Sequence, residues 1–279
     1  MQQFFCQAYS HPLHTNSSCR GNPEEKPFDS LIPMLYNNSG MYGLDPAFMK
    51  LYLLFDIDGT LINTGGAGLC AMKAAVTECL GDGGLLEGCS FAGKTDRLII
   101  RDLIRRAGMQ TDIGQTARRI CTRYIELLGP ALSGAENFFV YPHIPELLEQ
   151  LSKLPDIELA LLTGNLEQGA RLKLEHAGLW HYFRWGVYGD VSEDRNDLSR
   201  KALKRITKKC GTIDTRSIVI IGDTVSDIRC GQAIEATTIA YSAGFQPAAE
   251  LLPVGPDHLT DDFRELPAII AQLREGLSP

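Results

Sequence analysis

Two aspartates two residues apart, Asp56 and Asp58, close an apolar run in LLFDIDGTLINTGG, Leu53 to Gly66. Further along, other polar residues follow similar runs: Thr163 ends LALLT, and Asp223 follows SIVIIG, with Asp227 four residues on in GDTVSD. Apolar runs without alternation suit strands buried on both faces. In an open parallel sheet the residues beyond the carboxyl ends of such strands share one crevice. Gathering carboxylates there carries a large desolvation cost unless a cation neutralises them. Neither Cys nor His stands at these points, which disfavours zinc. A hard divalent ion with oxygen ligands suits them better, with Mg²⁺ on Asp56, Asp223 and a backbone carbonyl near Asp58.

Such an ion draws in an anionic substrate and orients its phosphoryl group. One carboxylate is then free to attack and another to move a proton. Asp56 is the candidate nucleophile, forming a covalent aspartyl-phosphate. Asp58 is the candidate acid, protonating the leaving alkoxide and then activating the water that cleaves the intermediate. The Thr163 hydroxyl and the backbone amides of Gly164 and Asn165 are placed to hold nonbridging oxygens. Gly59, Gly65 and Gly66 permit an unusual backbone path around the group. A cationic side chain is also required. YGDVSEDRNDLSRK supplies Arg195, just before a helix expected from about Asn196. Arg200 and Lys201 are rivals a turn or more into that helix, where exposure is the default.

The elements that must position these residues read as an alternation. Strands are expected at Leu51 to Phe55, Leu159 to Thr163, Ser217 to Gly222 and Ala236 to Ser242, with a weaker one at HLT near His258. Helical patterns fall between them at 143–154, 166–178 and 196–211, the latter two ending in Gly C-caps, and two more follow Asp223 and close the chain. The pattern predicts an α/β fold, a Rossmann-like three-layer core with a mostly parallel sheet. The interval from Asp58 to Thr163 is far longer than one crossover needs. It holds three helical patterns, AGLCAMKAAVTECL, KTDRLIIRDLIRRAG and IGQTARRICTRYIELLG. Residues 65–141 therefore read as an inserted all-helical cap over the strand ends, with 49–64 and 142–279 as the catalytic core. Residues 1–48 are polar and broken by Pro and Gly, and read as a poorly ordered arm.

The bulk composition narrows the partners. The chain has 279 residues, 27 basic and 34 acidic, for a formal net charge of −7, which does not suggest a nucleic-acid partner. The 8 cysteines show no CxxC pair or metal-ligand spacing and read as reduced thiols of a cytoplasmic protein. No run of apolar residues has the length of a membrane span, and no signal segment is evident. The expected partner is a small phosphorylated metabolite, with no nucleic acid and no membrane.

In order and spacing, DIDGT, the Thr163 strand end in LLTGN, and GDTVSD resemble the motifs of the haloacid dehalogenase-like hydrolases. From about Lys50 onward the sequence is similar to the capped, phosphoglycolate-phosphatase-like branch. The resemblance implies Asp56 as nucleophile, Asp58 as acid/base and Thr163 on the phosphoryl group. It implies Mg²⁺ on Asp56, the Asp58 carbonyl and Asp223, with Asp227 supporting the metal or the cationic residue. Relatives usually carry Lys, sometimes Arg, in the cationic role; no Lys-Pro stretch occurs here, and Arg195 takes the position.

A dehalogenase gains nothing from an acid at Asp58, and a phosphonate-cleaving enzyme needs a Schiff-base lysine in the cap, for which Lys73 or Lys94 would have to serve. Phosphomonoester hydrolysis is thus the first expectation. A phosphomutase using the same intermediate is the second, and a phospho-ligand binder without turnover the third. Specificity is expected from the cap, above all from SFAGKTDR, Ser90 to Arg97. There Gly93 allows close approach, and Lys94 either meets a substrate anion or simply precedes a helix capped by Thr95 or Asp96. Arg97, Arg123 and Tyr124 are further candidates.

Overall fold

A computed structural model describes residues 50–109 and 112–277. The arm assigned to 1–48 lies outside the described residues. Six parallel strands form one sheet in the order β5-β4-β1-β6-β7-β8. They are β1 (Leu51–Phe55), β4 (Ile157–Leu162), β5 (Gly186–Val187), β6 (Ile218–Gly222), β7 (Thr237–Tyr241) and β8 (His258–Thr260). The expected strands are all present: β1 and β8 have the expected bounds, and β4, β6 and β7 differ by one or two residues at their ends. β5 was not foreseen: it is two residues long, Gly186 and Val187 pairing with Leu161 and Leu162, too short to leave a sequence pattern.

The absence of alternation in β1 has the cause expected of it. Side chains alternate between faces along a strand, and here both faces are covered. Leu51, Leu53 and Phe55 join a cluster with Leu147 and Leu148 of α4 (Ile144–Ser152), Leu174 of α5 (Glu167–His176) and Ile270 of α9 (Leu266–Gly276). Tyr52 and Leu54 join the opposite cluster, with Leu198, Ala202 and Ile206 of α6 (Arg195–Cys210) and Cys230 of α7 (Val225–Gln232). The result is a three-layer α/β core.

The inserted helices build their own hydrophobic cluster. α1 (Ala67–Leu80), α2 (Asp96–Arg106) and α3 (Ile113–Ser133) bury Ala71, Val76, Ile100, Leu103, Ile120 and Leu128 against one another. Thr95 starts α2 by accepting a hydrogen bond from the Leu98 amide at 3.2 Å, Asp96 sits in its first turn, and Arg105 and Arg106 sit in its last. At the root of the insertion, β2 (Ile62–Asn63) and β3 (Phe139–Val140) pair as an antiparallel ribbon, Ile62 with Val140 and Asn63 with Phe139. Leu166, beside the carboxyl end of β4, joins the helical cluster and ties insertion to core.

Leu53 lies at the centre of the sheet and is fully buried. Leu53→Ala is expected to lower unfolding stability by about 2–5 kcal/mol, read as a lower denaturation midpoint in urea at unchanged slope.

Candidate active site

The order of the sheet decides what meets what. β1 lies between β4 and β6, so Asp56, Thr163 and Asp223, each directly beyond one of these strands, are neighbours. The Asp56 amide extends the ladder by one bond, donating to the Ile221 carbonyl at 2.9 Å. The backbone then turns: the Gly59 amide donates back to Ile62 O at 2.9 Å, with Gly59 at φ +86°. A Cβ on Gly59 would lie 2.1 Å from Asp223 Oδ2, so only glycine lets this turn pass the carboxylate.

Asp56, Asp223 and Asp227 are buried with carboxylate oxygens within 4.8 Å of one another, a cluster able to hold a divalent metal. Arg195 is the cation among them: its guanidinium lies 2.8 Å from Asp56 Oδ2 and also pairs with Asp227 Oδ1. Asp223 accepts from the Thr60 hydroxyl at 3.0 Å and from the Phe245 amide at 2.7 Å. Asp227 Oδ2 accepts from the Thr224 amide at 3.0 Å and hydroxyl at 2.7 Å, capping α7. Both oxygens of Asp227, like both of Asp223, thus already accept hydrogen bonds, and Asp227 is the one of the two that pairs with Arg195. Asp56 Oδ1, by contrast, is a buried oxygen without a hydrogen-bond partner among the described residues.

One guanidinium does not balance three buried carboxylates, and burial favours the protonated form of two of them. Burial first, then the charges of Asp227 and Asp56, push the Asp223 carboxyl well above its usual range. Asp227 is pushed up to about 6 by burial, against the pull of Arg195. Arg195 is held charged: burial opposes its charge, and Asp227 and Asp56 more than compensate. The all-oxygen donor set and the surplus negative charge fit a hard divalent cation such as Mg²⁺.

The second aspartate faces elsewhere. Lys173 on α5 donates to Asp58 Oδ1 at 2.9 Å and Oδ2 at 2.7 Å, and to Asn165 Oδ1 at 2.5 Å. Asn165 Nδ2 in turn donates to Asp58 Oδ2 at 2.8 Å and to Thr163 Oγ1 at 2.8 Å. The Asn165 amide also reaches Thr163 Oγ1, at 3.3 Å, which leaves the Thr163 hydroxyl hydrogen free to donate outward. Asp56, Asp58, Thr163, Asn165, Arg195, Asp223 and Asp227 are therefore gathered in one region.

The cap residues singled out from sequence divide. Asp96 of α2 touches the same loop: its amide donates to Gly164 O at 2.8 Å, and its carboxylate accepts from the Leu166 amide at 2.9 Å. A Cβ on Gly164 would meet Lys94 O at 2.4 Å, so the loop before α2 presses on the core backbone there. The side chains of Lys94 and Arg97 have other partners. Lys94 Nζ lies 3.6 Å from Asp102 within the cap, and Arg97 Nη1 donates to Asp190 O at 2.6 Å. The helix cap expected at the end of SFAGKTDR is formed by Thr95. Arg123 is engaged by Glu78 and Glu126 on the cap surface. Arg200 and Lys201 are exposed on α6, on Asp197 and the Val191 carbonyl, so of the three rival cations only Arg195 is buried among the carboxylates. α6 itself begins at Arg195, one residue earlier than expected.

Sequence reasoning passed over Lys173, and its signal was present. Gly169, Ala170, Lys173 and Leu174 form the buried face of α5, a charged residue on an apolar stripe. Thr60 and the Phe245 amide had no comparable mark.

The family model described as haloacid dehalogenase-like hydrolase matches residues 53–241. The chain is 26% identical over 231 residues to the phosphoglycolate phosphatase of Pseudomonas syringae pv. syringae, covering 82% of each protein. It is 27% identical over 230 residues to that of Agrobacterium fabrum, covering 79% of this chain and 92% of the relative. Among solved structures, a predicted phosphatase from Clostridium acetobutylicum shares the fold, with a TM-score of 0.61, 21% identity and coverage of 80% of this chain and 99% of that one. With the matched segment running from the strand before Asp56 to the strand beyond Asp227, the chain belongs to the haloacid dehalogenase-like hydrolases, in their phosphoglycolate-phosphatase-like branch.

Proposed function

We propose that this chain is a magnesium-dependent phosphatase that hydrolyses a small phosphomonoester through an aspartyl-phosphate on Asp56. The observation that carries the reading is Asp56 Oδ1, a buried carboxylate oxygen with no hydrogen-bond partner while its twin is fixed by Arg195. An oxygen so held has a lone pair to offer phosphorus. Mg²⁺ on Asp56, Asp223 and the Asp58 carbonyl would neutralise charge on the transferring group. Thr163 donates its hydroxyl to a nonbridging oxygen, the Gly164 amide lies beside it, and Arg195 supplies positive charge. Asp58 gives a proton to the departing oxygen and takes one from the water that attacks the phosphorylated Asp56.

The names of the curated relatives make 2-phosphoglycolate the first compound to test. Among the described residues, no helix is long and apolar enough to cross a membrane; the substrate proposed for this site is a dissolved metabolite.

Phosphate release across a panel of small phosphomonoesters, with Mg²⁺ or with excess chelator, tests the reading. Release is expected only with the metal. Asp56→Asn is expected to abolish it in a folded protein, and Asp58→Asn to lower it by about 10²–10⁴-fold. Persistent turnover by Asp56→Asn would sink the nucleophile assignment, and isomer formation without phosphate release would identify a mutase.

The carboxylate crowding gives a second test. In the metal-free protein Asp223 keeps its proton in the native state above its ordinary value of 3.8, so the folded form binds more protons than the unfolded one. Stability then falls as pH rises from that value toward the raised native one. Asp223→Asn removes the penalty. The metal-free variant is expected to melt at or above wild type near neutral pH, and Mg²⁺ is expected to raise the melting temperature of wild type alone. A variant that melts lower, or still responds to Mg²⁺, contradicts the placement.

A further inference from the structure

Lys173 is a buried ammonium outside the metal cluster, and its surroundings are specific. Its side chain is 5% exposed, against 25% for Asp58. All of its hydrogen bonds run to two residues, Asp58 and Asn165. Cap groups close over it: a Cβ on Gly68 of α1 would lie 3.7 Å from Lys173 Nζ and 3.8 Å from the Tyr124 hydroxyl of α3. Burial opposes the charge on Lys173, and the neighbouring carboxylates of Asp58 and Asp96 restore it. Burying an ammonium is costly unless its partners compensate, and the partner here is the carboxylate proposed to move the proton.

We propose that Lys173 is a positioning residue for Asp58: with Asn165 it fixes the carboxylate in the orientation from which it serves the leaving group. The inference rests on the phosphatase reading above. Three N–H donors converge on one carboxylate, two bonds from Lys173 and one from Asn165, so both oxygens are held and the plane of the group is set. Asn165 then links this plane to Thr163 at 2.8 Å, so the proton carrier and the phosphoryl-binding hydroxyl are registered to each other. Lys173 has no donor left for substrate, which separates this role from that of a substrate-binding cation.

The role predicts a dependence on the leaving group. An alkyl phosphate needs protonation of the departing oxygen, and 4-nitrophenyl phosphate needs little. The full chain is compared as wild type, Lys173→Met, Asp58→Asn and the double variant, using 2-phosphoglycolate, or the fastest alkyl phosphate of the panel, beside 4-nitrophenyl phosphate. Wild-type turnover that vanishes in Asp56→Asn tests the phosphatase reading independently. Lys173→Met is expected to lower kcat/KM on the alkyl substrate by about 10–100-fold and on the aryl substrate by less than about threefold. Because the lysine acts through Asp58, the double variant is expected within about threefold of Asp58→Asn alone. Equal losses on both substrates, losses that multiply in the double variant, or no loss on the alkyl substrate would each overturn the proposal. If Lys173→Met does not fold, Lys173→Gln, which keeps a donor but not the charge, enters the same cycle under the same criteria.

Discussion

The arrangement depends on one electrostatic constraint: three buried carboxylates lie together, and the Arg195 guanidinium pairs with only two of them, Asp56 and Asp227. Asp56, Asp223 and Asp227 converge because β1 and β6 are neighbours and α7 starts directly after β6. Arg195 reaches them from the first turn of α6, where the helix dipole disfavours a cation. Asp194, which caps that helix by accepting from the Asn196 amide at 2.9 Å, offsets part of this, and the pairing with Asp56 and Asp227 supplies the rest. The balance is left negative, which makes the cluster poor as a metal-free core and suitable as a cation site. Stability and function pull in opposite directions at Asp223, a common situation for a charged group kept for its chemistry.

The insertion meets the loop beyond β4 through Asp96, by backbone and carboxylate alike, and Arg97 adds a bond from α2 to the Asp190 carbonyl of the core. Gly164 O and the Leu166 amide bond to Asp96 on either side of Asn165. Gly93 approaches the first turn of α7 so closely that a Cβ there would lie 2.3 Å from Ser226 Oγ. Both places have glycine because a neighbouring element fills the space a side chain would take. A displacement of the cap would therefore disturb the loop carrying Thr163 and Asn165, which couples cap position to the geometry of the proposed phosphoryl site.

What could be read beforehand follows from how local each signal is. β1, β4 and β6 were legible because strands covered on both faces must be continuously apolar, and Asp56, Thr163 and Asp223 were legible because they interrupt that pattern at its end. β5 and the β2–β3 ribbon were not, since two paired residues carry no period. Arg195 could be nominated, but only burial separates it from Arg200 and Lys201, and burial is a property of the packed helix. For Lys94 and Arg97 the sequence shows nothing of their partners within the chain, since Asp102 and the Asp190 carbonyl meet them only in three dimensions. Lys173 and Asp58 are 115 residues apart in sequence, and no local pattern encodes such a pair.

Two aspartates separated by one residue are chemically identical at the outset, and the proposed mechanism asks different things of them. The structure differentiates them through their partners. Asp56 is buried, with one oxygen on Arg195 and the other unpaired; Asp58 is partly exposed, with both oxygens on donors from Lys173 and Asn165. The turn at Gly59 sends the backbone past Asp223, and α5 brings Lys173 to the other side. A group with a free lone pair beside a fixed cation suits attack on phosphorus. A carboxylate held on both oxygens suits proton transfer along one direction. Environment, rather than residue type, assigns the two roles, and the two cations that create those environments come from different helices of the core, α6 and α5.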